Sequence, residues 1–224
     1  MWWNPEGLRG REDMDVFTIP AAVDYAAVFL FSITGALSAT QRGHDVVGLV
    51  VLAFAAGLGG GFLRDGLILQ DGPPAALRDG GFVLAVLAGC AVTWLFHARV
   101  ERFSRAFLVL DAIGMAAYGI VGATKAAAAG LAPAACVLTG VVNAVGGGII
   151  RDVLIREEPL LFRPGQFYAV AAAAGVSLFI FLDRVLSVPA GIAAGSGMLA
   201  ALTIRLLSIY LNWTTRPVKP GRLP

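Results

Sequence analysis

Charge is what this chain has least of. Acidic and basic residues fill 14% of its 224 positions, against about a quarter in an ordinary soluble domain. So few polar groups cannot clothe a water-exposed surface, whereas lipid asks for none. Cysteine is scarce too. Cys90 and Cys136 lie inside apolar stretches without CxxC or Cys/His spacing, which suits small buried hydrophobes rather than a disulfide or zinc site. His44 and His97 sit near the ends of apolar runs with no companion ligands, so no metal site is expected. Neither GxGxxG nor GxxxxGK occurs, which removes the common nucleotide loops. Gly195-Ser196-Gly197 has no histidine to activate its serine, which removes a serine protease. A net charge of +2, with no basic run interleaved with aromatics, argues against nucleic acid. The chain therefore reads as a non-enzyme without cofactor or evident soluble partner. Long linkers are absent as well, so a single membrane domain over residues 1–224 is expected.

What is present is apolar sequence, 58% of residues, at a mean hydropathy of +0.77. Seven stretches approach the ~20 residues that a bilayer requires: 17–40, 46–69, 81–98, 105–127, 132–155, 166–184 and 189–211. An all-α, seven-span fold follows. The polar start Met1 to Asp15 precedes a stretch longer than a signal-peptide core, which is read as a retained first span.

The second and fifth stretches each carry three consecutive glycines followed by arginine and aspartate: Gly59-Gly60-Gly61 with Arg64-Asp65, and Gly146-Gly147-Gly148 with Arg151-Asp152. The copies lie 87 residues apart, and that offset also aligns Asp24 with Asp111, Gly35 with Gly122 and Gly43 with Gly130. An internal duplication is expected, with repeat one at about 17–98, repeat two at about 105–184 and an extra helix at about 189–211. Three spans per repeat is an odd number, so the second copy should enter from the opposite face as an inverted pair. Six Lys/Arg fall on the N-terminal side and eleven on the other, which places the N-terminus outside and the C-terminus in the cytoplasm.

Glycine weakens a helix by about 1 kcal/mol against alanine. Triple glycines beside intramembrane charges therefore predict two helix breaks flanking a solute pathway, although close helix packing accounts for the glycines equally well. Neighbouring Arg and Asp do not face each other along a helix, so two ion pairs are expected instead, Asp24–Arg64 and Asp111–Arg151, the alternative being that each Arg snorkels to headgroups and each Asp is solvated. Lys125, opposite Ser38 under the offset, either snorkels to headgroups or enters the permeation path and the membrane field. Asn143 either caps the second break or touches the permeant species, or else makes an interhelical hydrogen bond. Gly191 and Gly195 form a GxxxG, expected to pack helices and to serve as a subunit contact.

The doubled GGGxxRD in a seven-span chain resembles the trimeric intracellular cation channel family, in particular its prokaryotic members, over residues 17–211. The resemblance implies a homotrimer in a plasma or inner membrane, with a pore in each protomer lined by glycine-broken second and fifth helices. It implies a monovalent cation, chiefly potassium, as the permeant species, with sensitivity to voltage. The same family is also labelled a glycine transporter domain, so coupled transport of a small amino acid stands as the alternative. Animal members carry a Lys-Glu-Val signature where this chain reads Ala53-Phe54-Ala55-Ala56, and their lipid regulation is not expected here.

Overall fold

The computed structural model describes residues 19–100, 104–163 and 167–213, and the side chains of these except 97–100, 104 and 105. Met1 to Asp15 and, among the charges used for orientation, Arg9, Arg11, Arg102, Arg216, Lys219 and Arg222 lie outside the described residues. So do the side chains of His97, Arg99 and Arg105.

Helix formation follows the apolar runs. The elements are α1 (Ala21–Thr40), α2 (Val46–Leu63) running into a π-helical turn (Arg64–Leu69), a short α3 (Ala75–Arg78), α4 (Gly80–Val100), α5 (Ser104–Ala128), α6 (Pro133–Leu154), α7 (Tyr168–Arg184) and α8 (Ala190–Tyr210). Apart from the first, each expected span begins and ends within two residues of an observed helix. Among the described residues five helical stretches are long and apolar enough to cross a membrane outright, including Val46–Leu69, and the apolar part of α4, Gly80–Phe96, is shorter. α7 has 17 residues, about 26 Å at 1.5 Å per residue, close to the hydrocarbon thickness.

Local chemistry sets the turns. Asp45 caps α2, accepting from the Gly48 amide at 2.9 Å, and Pro133 opens α6 where its missing N–H is harmless. α1 and α5 end in the same way 87 residues apart. His44 N–H donates to Ala39 C=O and Leu131 N–H donates to Ala126 C=O, each at 3.1 Å. The turn residues between, Gly43 and Gly130, have φ of 71° and 77°, the left-handed closure for which glycine is suited. The ends of α2 and α6 also correspond: Gln70 N–H donates to Asp65 C=O and Glu157 N–H to Asp152 C=O, both at 2.9 Å.

Two expectations about the glycines are corrected. α2 runs as regular helix through Gly59-Gly60-Gly61, and α6 through Gly146-Gly147-Gly148. The irregular turn in the second span starts only at Arg64, and α6 has no break. In a bilayer an interrupted helix strands its amides and carbonyls, so the backbone keeps its own hydrogen bonds, and the glycines instead let two helices cross at close range. A Cβ on Gly60 would collide with the Asn143 carbonyl, and one on Gly147 with the Ala56 carbonyl. Side-chain carbons at Gly59 and Gly146 would stand 2.7 Å from Ile150 Cδ1 and Leu63 Cδ1 respectively. These contacts map onto one another under the 87-residue offset. Beside them Phe31 of α1 meets Tyr118 of α5, also 87 positions on, with ring centroids 5.8 Å apart.

α8 packs on α7 and α5. Its inward glycine is Gly197, where a Cβ would stand 2.7 Å from Gly175 C=O, whereas Gly191 and Gly195 face open space. Among the described residues, therefore, nothing packs against the two glycines of the GxxxG. Cys90 and Cys136 are both buried and free.

Candidate functional site

Two clusters of buried charge lie at opposite ends of the α1, α2, α5 and α6 bundle. At the end where α1 begins and α2 finishes, here the first face, the Arg64 guanidinium is 1% exposed. Its Nε donates to Asp65 Oδ1 at 2.6 Å, its Nη2 to Asp65 Oδ2 at 3.0 Å, and its Nη1 to Asn143 Oδ1 at 3.3 Å. Asn143 is anchored in turn, its Nδ2 donating to the Tyr118 carbonyl at 2.6 Å. Asp65 Oδ2 also accepts from the Ala75 amide at 2.9 Å, which ties the helix end to the loop beyond it.

The second face repeats the arrangement. Arg151, fully buried, donates through Nε to Asp152 Oδ1 at 2.8 Å and through Nη1 to Asp111 Oδ1 and Thr34 Oγ, each at 3.0 Å. Asp152 Oδ2 accepts from the Leu160 amide at 3.0 Å, and Arg151 lies 4.8 Å from the Phe107 ring centroid. The expected Asp111–Arg151 pair is therefore present. Contrary to expectation, each arginine also pairs with its sequence neighbour. The guanidinium stem is long enough to fold back along the helix, and the loop amides of Ala75 and Leu160 draw both carboxylates toward the helix end where it can reach them.

Asp24 is the other correction. It pairs with Lys125, Nζ to Oδ2 at 2.5 Å, and not with Arg64. A primary ammonium on α5 reaches it first, and Arg64 is already satisfied by Asp65 and Asn143. Ser38, which corresponds to Lys125, is buried and donates to the Thr34 carbonyl at 2.8 Å. Asn143 caps no break; it makes the interhelical hydrogen bond.

Cavities open onto both clusters. On the first face one of about 320 Å³ is bordered by Asp24, Tyr25, Asp79, Phe82 and Lys125, and another of about 300 Å³ by Asp65, Asp71, Arg78 and Lys125. On the second face a cavity of about 230 Å³ is bordered by Ser38, Arg42, Arg151, Asp152 and Glu157. Between the two ends lie Phe31, Thr34, Tyr118, Asn143 and the six glycines, all buried. The mouths carry their own fastenings. Tyr25 hydroxyl donates to Asp79, and this bond with the Gly81 amide holds the Asp79 carboxyl below its usual range. At Glu157 burial opposes ionisation, but hydrogen bonds from Arg163 and Arg42 outweigh it and keep the carboxyl low. Among the described residues no group of three or more His, Cys, Asp or Glu is placed to hold a metal ion.

Sequence reasoning missed Thr34, Tyr118, Tyr168 and Arg205. The third glycine of each triplet makes room for a tyrosine hydroxyl and an arginine Nη2, Tyr118 and Arg64 at Gly61, Tyr168 and Arg151 at Gly148. The signal available for Arg205 was a charge in the middle of the last apolar stretch.

Comparison with known proteins bears on this arrangement. A family model described as "Glycine transporter" matches the chain twice, over residues 21–98 and 108–184. The chain is 36% identical to a UPF0126 membrane protein of Deinococcus radiodurans, covering 90% of this chain and 92% of that one. It is 35% identical to the UPF0126 inner membrane protein YadS of Escherichia coli K12, covering 84% and 90%. Its fold matches the TRIC trimeric intracellular cation channel orthologue from Rhodobacter sphaeroides at a TM-score of 0.81, with 33% identity over 86% of this chain and 97% of that one. The chain belongs to the TRIC family. A second solved structure, described in terms of conductance through TRIC cation channels, matches at a TM-score of 0.79 and 33% identity, over 92% of this chain and the whole of the other. This TRIC-family member is a multi-pass membrane protein, and the family model's two matches begin 87 residues apart, the same offset that relates the two charge clusters.

Proposed function

We propose that the chain is a monovalent-cation channel of potassium type, assembled as a homotrimer with a pathway in every protomer. The observation that carries the reading is that cavities on opposite faces reach arginine–aspartate clusters of matching design, one bordered by Asp65 and the other by Arg151 and Asp152. The likeness to solved TRIC cation channels supports the ion and the trimer. The pathway runs beside α1, α2, α5 and α6, and the crossing at Gly60 and Gly147 stands between its two vestibules. Asp24, Asp65, Lys125, Ser38, Arg151 and Asp152 border those vestibules, while Arg64, Asp111 and Asn143 hold their walls in place.

The two halves are an inverted pair, as the odd number of spans per half and the recurring contacts support. The first face is external and the second cytoplasmic, which follows from the excess of basic residues on the latter. Lys125 sits in the transmembrane field and confers voltage sensitivity. Outward-facing Gly191 and Gly195 meet a neighbouring protomer.

A second reading is secondary transport of a small amino acid such as glycine. Two matched vestibules either side of a packed crossing suit alternating access, and the family model carries that description. Planar-bilayer recording separates the two. Step-like unitary currents reversing at the potassium equilibrium potential are expected of the channel; saturable glycine uptake without such currents would replace that reading with the transporter.

A further inference from the structure

Each half supplies two carboxylates and one guanidinium from its own matched positions: Asp24, Arg64 and Asp65 in the first, Asp111, Arg151 and Asp152 in the second. Either set alone carries an excess negative charge in a buried place, which is strongly unfavourable without a counter-ion. On the first face Lys125 provides it. On the second the corresponding position is Ser38, which has no charge to offer.

We propose that Arg205 is the fixed counter-charge of the Asp111–Arg151–Asp152 cluster, taking on the second face the place that Lys125 holds in exchangeable form on the first. Arg205 comes from α8, which lies outside both halves, and its side chain is fully buried. The guanidinium stacks 4.9 Å from the centroid of the Tyr168 ring. The Tyr168 hydroxyl closes no hydrogen bond, and it and the Arg151 Nη2 both stand within 4 Å of the point that a Cβ at Gly148 would occupy. Among the described residues the charge of Asp111 reaches Arg205. Asp111 gives Oδ1 to Arg151 and leaves Oδ2 without a hydrogen bond. Asp24 shows the same division, with Oδ2 on Lys125 and Oδ1 free. With Arg205 included, each of the two clusters holds two carboxylates and two cations.

The two counter-charges differ in kind. The Lys125 side chain is 35% exposed and borders both cavities of the first face, so an entering cation can compete with it for Asp24. Arg205 is sealed, permanently charged and stacked, properties that suit guanidinium and not ammonium. The second cluster keeps its balance of charge whatever enters, and the first does not.

A double-mutant cycle on the purified full-length protein tests this through unfolding. The variants are Arg205→Gln, Asp111→Asn, the two together, and Arg205→Lys. Arg205→Gln should destabilise strongly, and adding Asp111→Asn should recover much of the loss, with a coupling of about tenfold or more in the unfolding equilibrium. Arg205→Lys should fall between the wild type and Arg205→Gln. If the two single losses simply add, or if Arg205→Lys is no better than Arg205→Gln, the proposal is overturned. Should Arg205→Gln fail to fold, recovery of a monodisperse folded species in the double variant supports it, and failure to recover sinks it. The cycle reads folding alone, so a wild type without unitary currents would end the channel reading and leave this inference standing.

Discussion

Lys125 Nζ lies 2.5 Å from Asp24 Oδ2, joining the first helix of one half to a cation on the opening helix of the other. This contact breaks the equivalence of the two ends, because the corresponding Asp111 is held by the arginine of its own half. Lys125→Gln should free a buried carboxylate on the wall of the first-face cavity. Potassium conductance at low concentration is expected to rise several-fold and the voltage dependence to flatten, since a charge crossing the whole field contributes about 2.3 kcal/mol per 100 mV. Single-channel conductance against potassium concentration and voltage checks it; an unchanged curve would refute the role.

The two aspartates should also differ in structural weight. Asp111 and Arg151 are both wholly buried, and removing one member of such a pair costs about 3–5 kcal/mol. Lys125 is partly solvated, so its pair contributes less. Asp111→Ala should therefore lower thermal stability markedly more than Asp24→Ala in the same detergent. Equal losses would show that burial is not what distinguishes them.

At the helix crossing, Gly147→Ala should destabilise by about 1–3 kcal/mol through overpacking, because a Cβ there drives into the Ala56 carbonyl. Gly66→Ala, with open space around it, is expected to be near neutral. Thermal unfolding of the two variants side by side decides the matter, and a neutral Gly147→Ala would mean that the helices can separate freely.

The acid limb of stability should involve Glu157. Its carboxyl is held below the usual value near 4.3 by Arg163 and Arg42, against burial. A depressed folded-state value means the contribution is complete above the unfolded value and disappears as pH falls through the folded one. Glu157→Gln should reduce the stability difference between pH 6 and pH 3, both being about the ends of that window. A melting series across this range that is identical for variant and wild type would exclude the contribution.

Much of this architecture could be read from the amino acids. Helices at the seven expected stretches follow from apolar composition, and among the described residues five of them are long and apolar enough to cross a membrane. The Asp111–Arg151 pair follows from the duplication. Its counterpart does not, since Lys125 has no basic mirror and intercepts Asp24. The glycines mislead when read through helix propensity alone: that scale is set in water, where an opened backbone finds hydrogen-bond partners, and between packed spans none are on offer. The pairing of each arginine with its neighbour depends on loop amides at Ala75 and Leu160, contacts that spacing along a helix does not encode. Arg205 and Tyr168 lay beyond the reach of the repeat, for α8 has no copy and Tyr168 corresponds to Gly81.

Asp65 Oδ2 is shared between the Arg64 guanidinium and the Ala75 amide. The start of α3 and a deeply seated cation thus meet at one oxygen atom, while Asp65 Oδ1 and Asn143 Oδ1 hold the same cation from its other nitrogens. A pull on the chain at Ala75 therefore bears first on the Asp65 carboxylate, and the Asn143 contact resists its passage to Arg64.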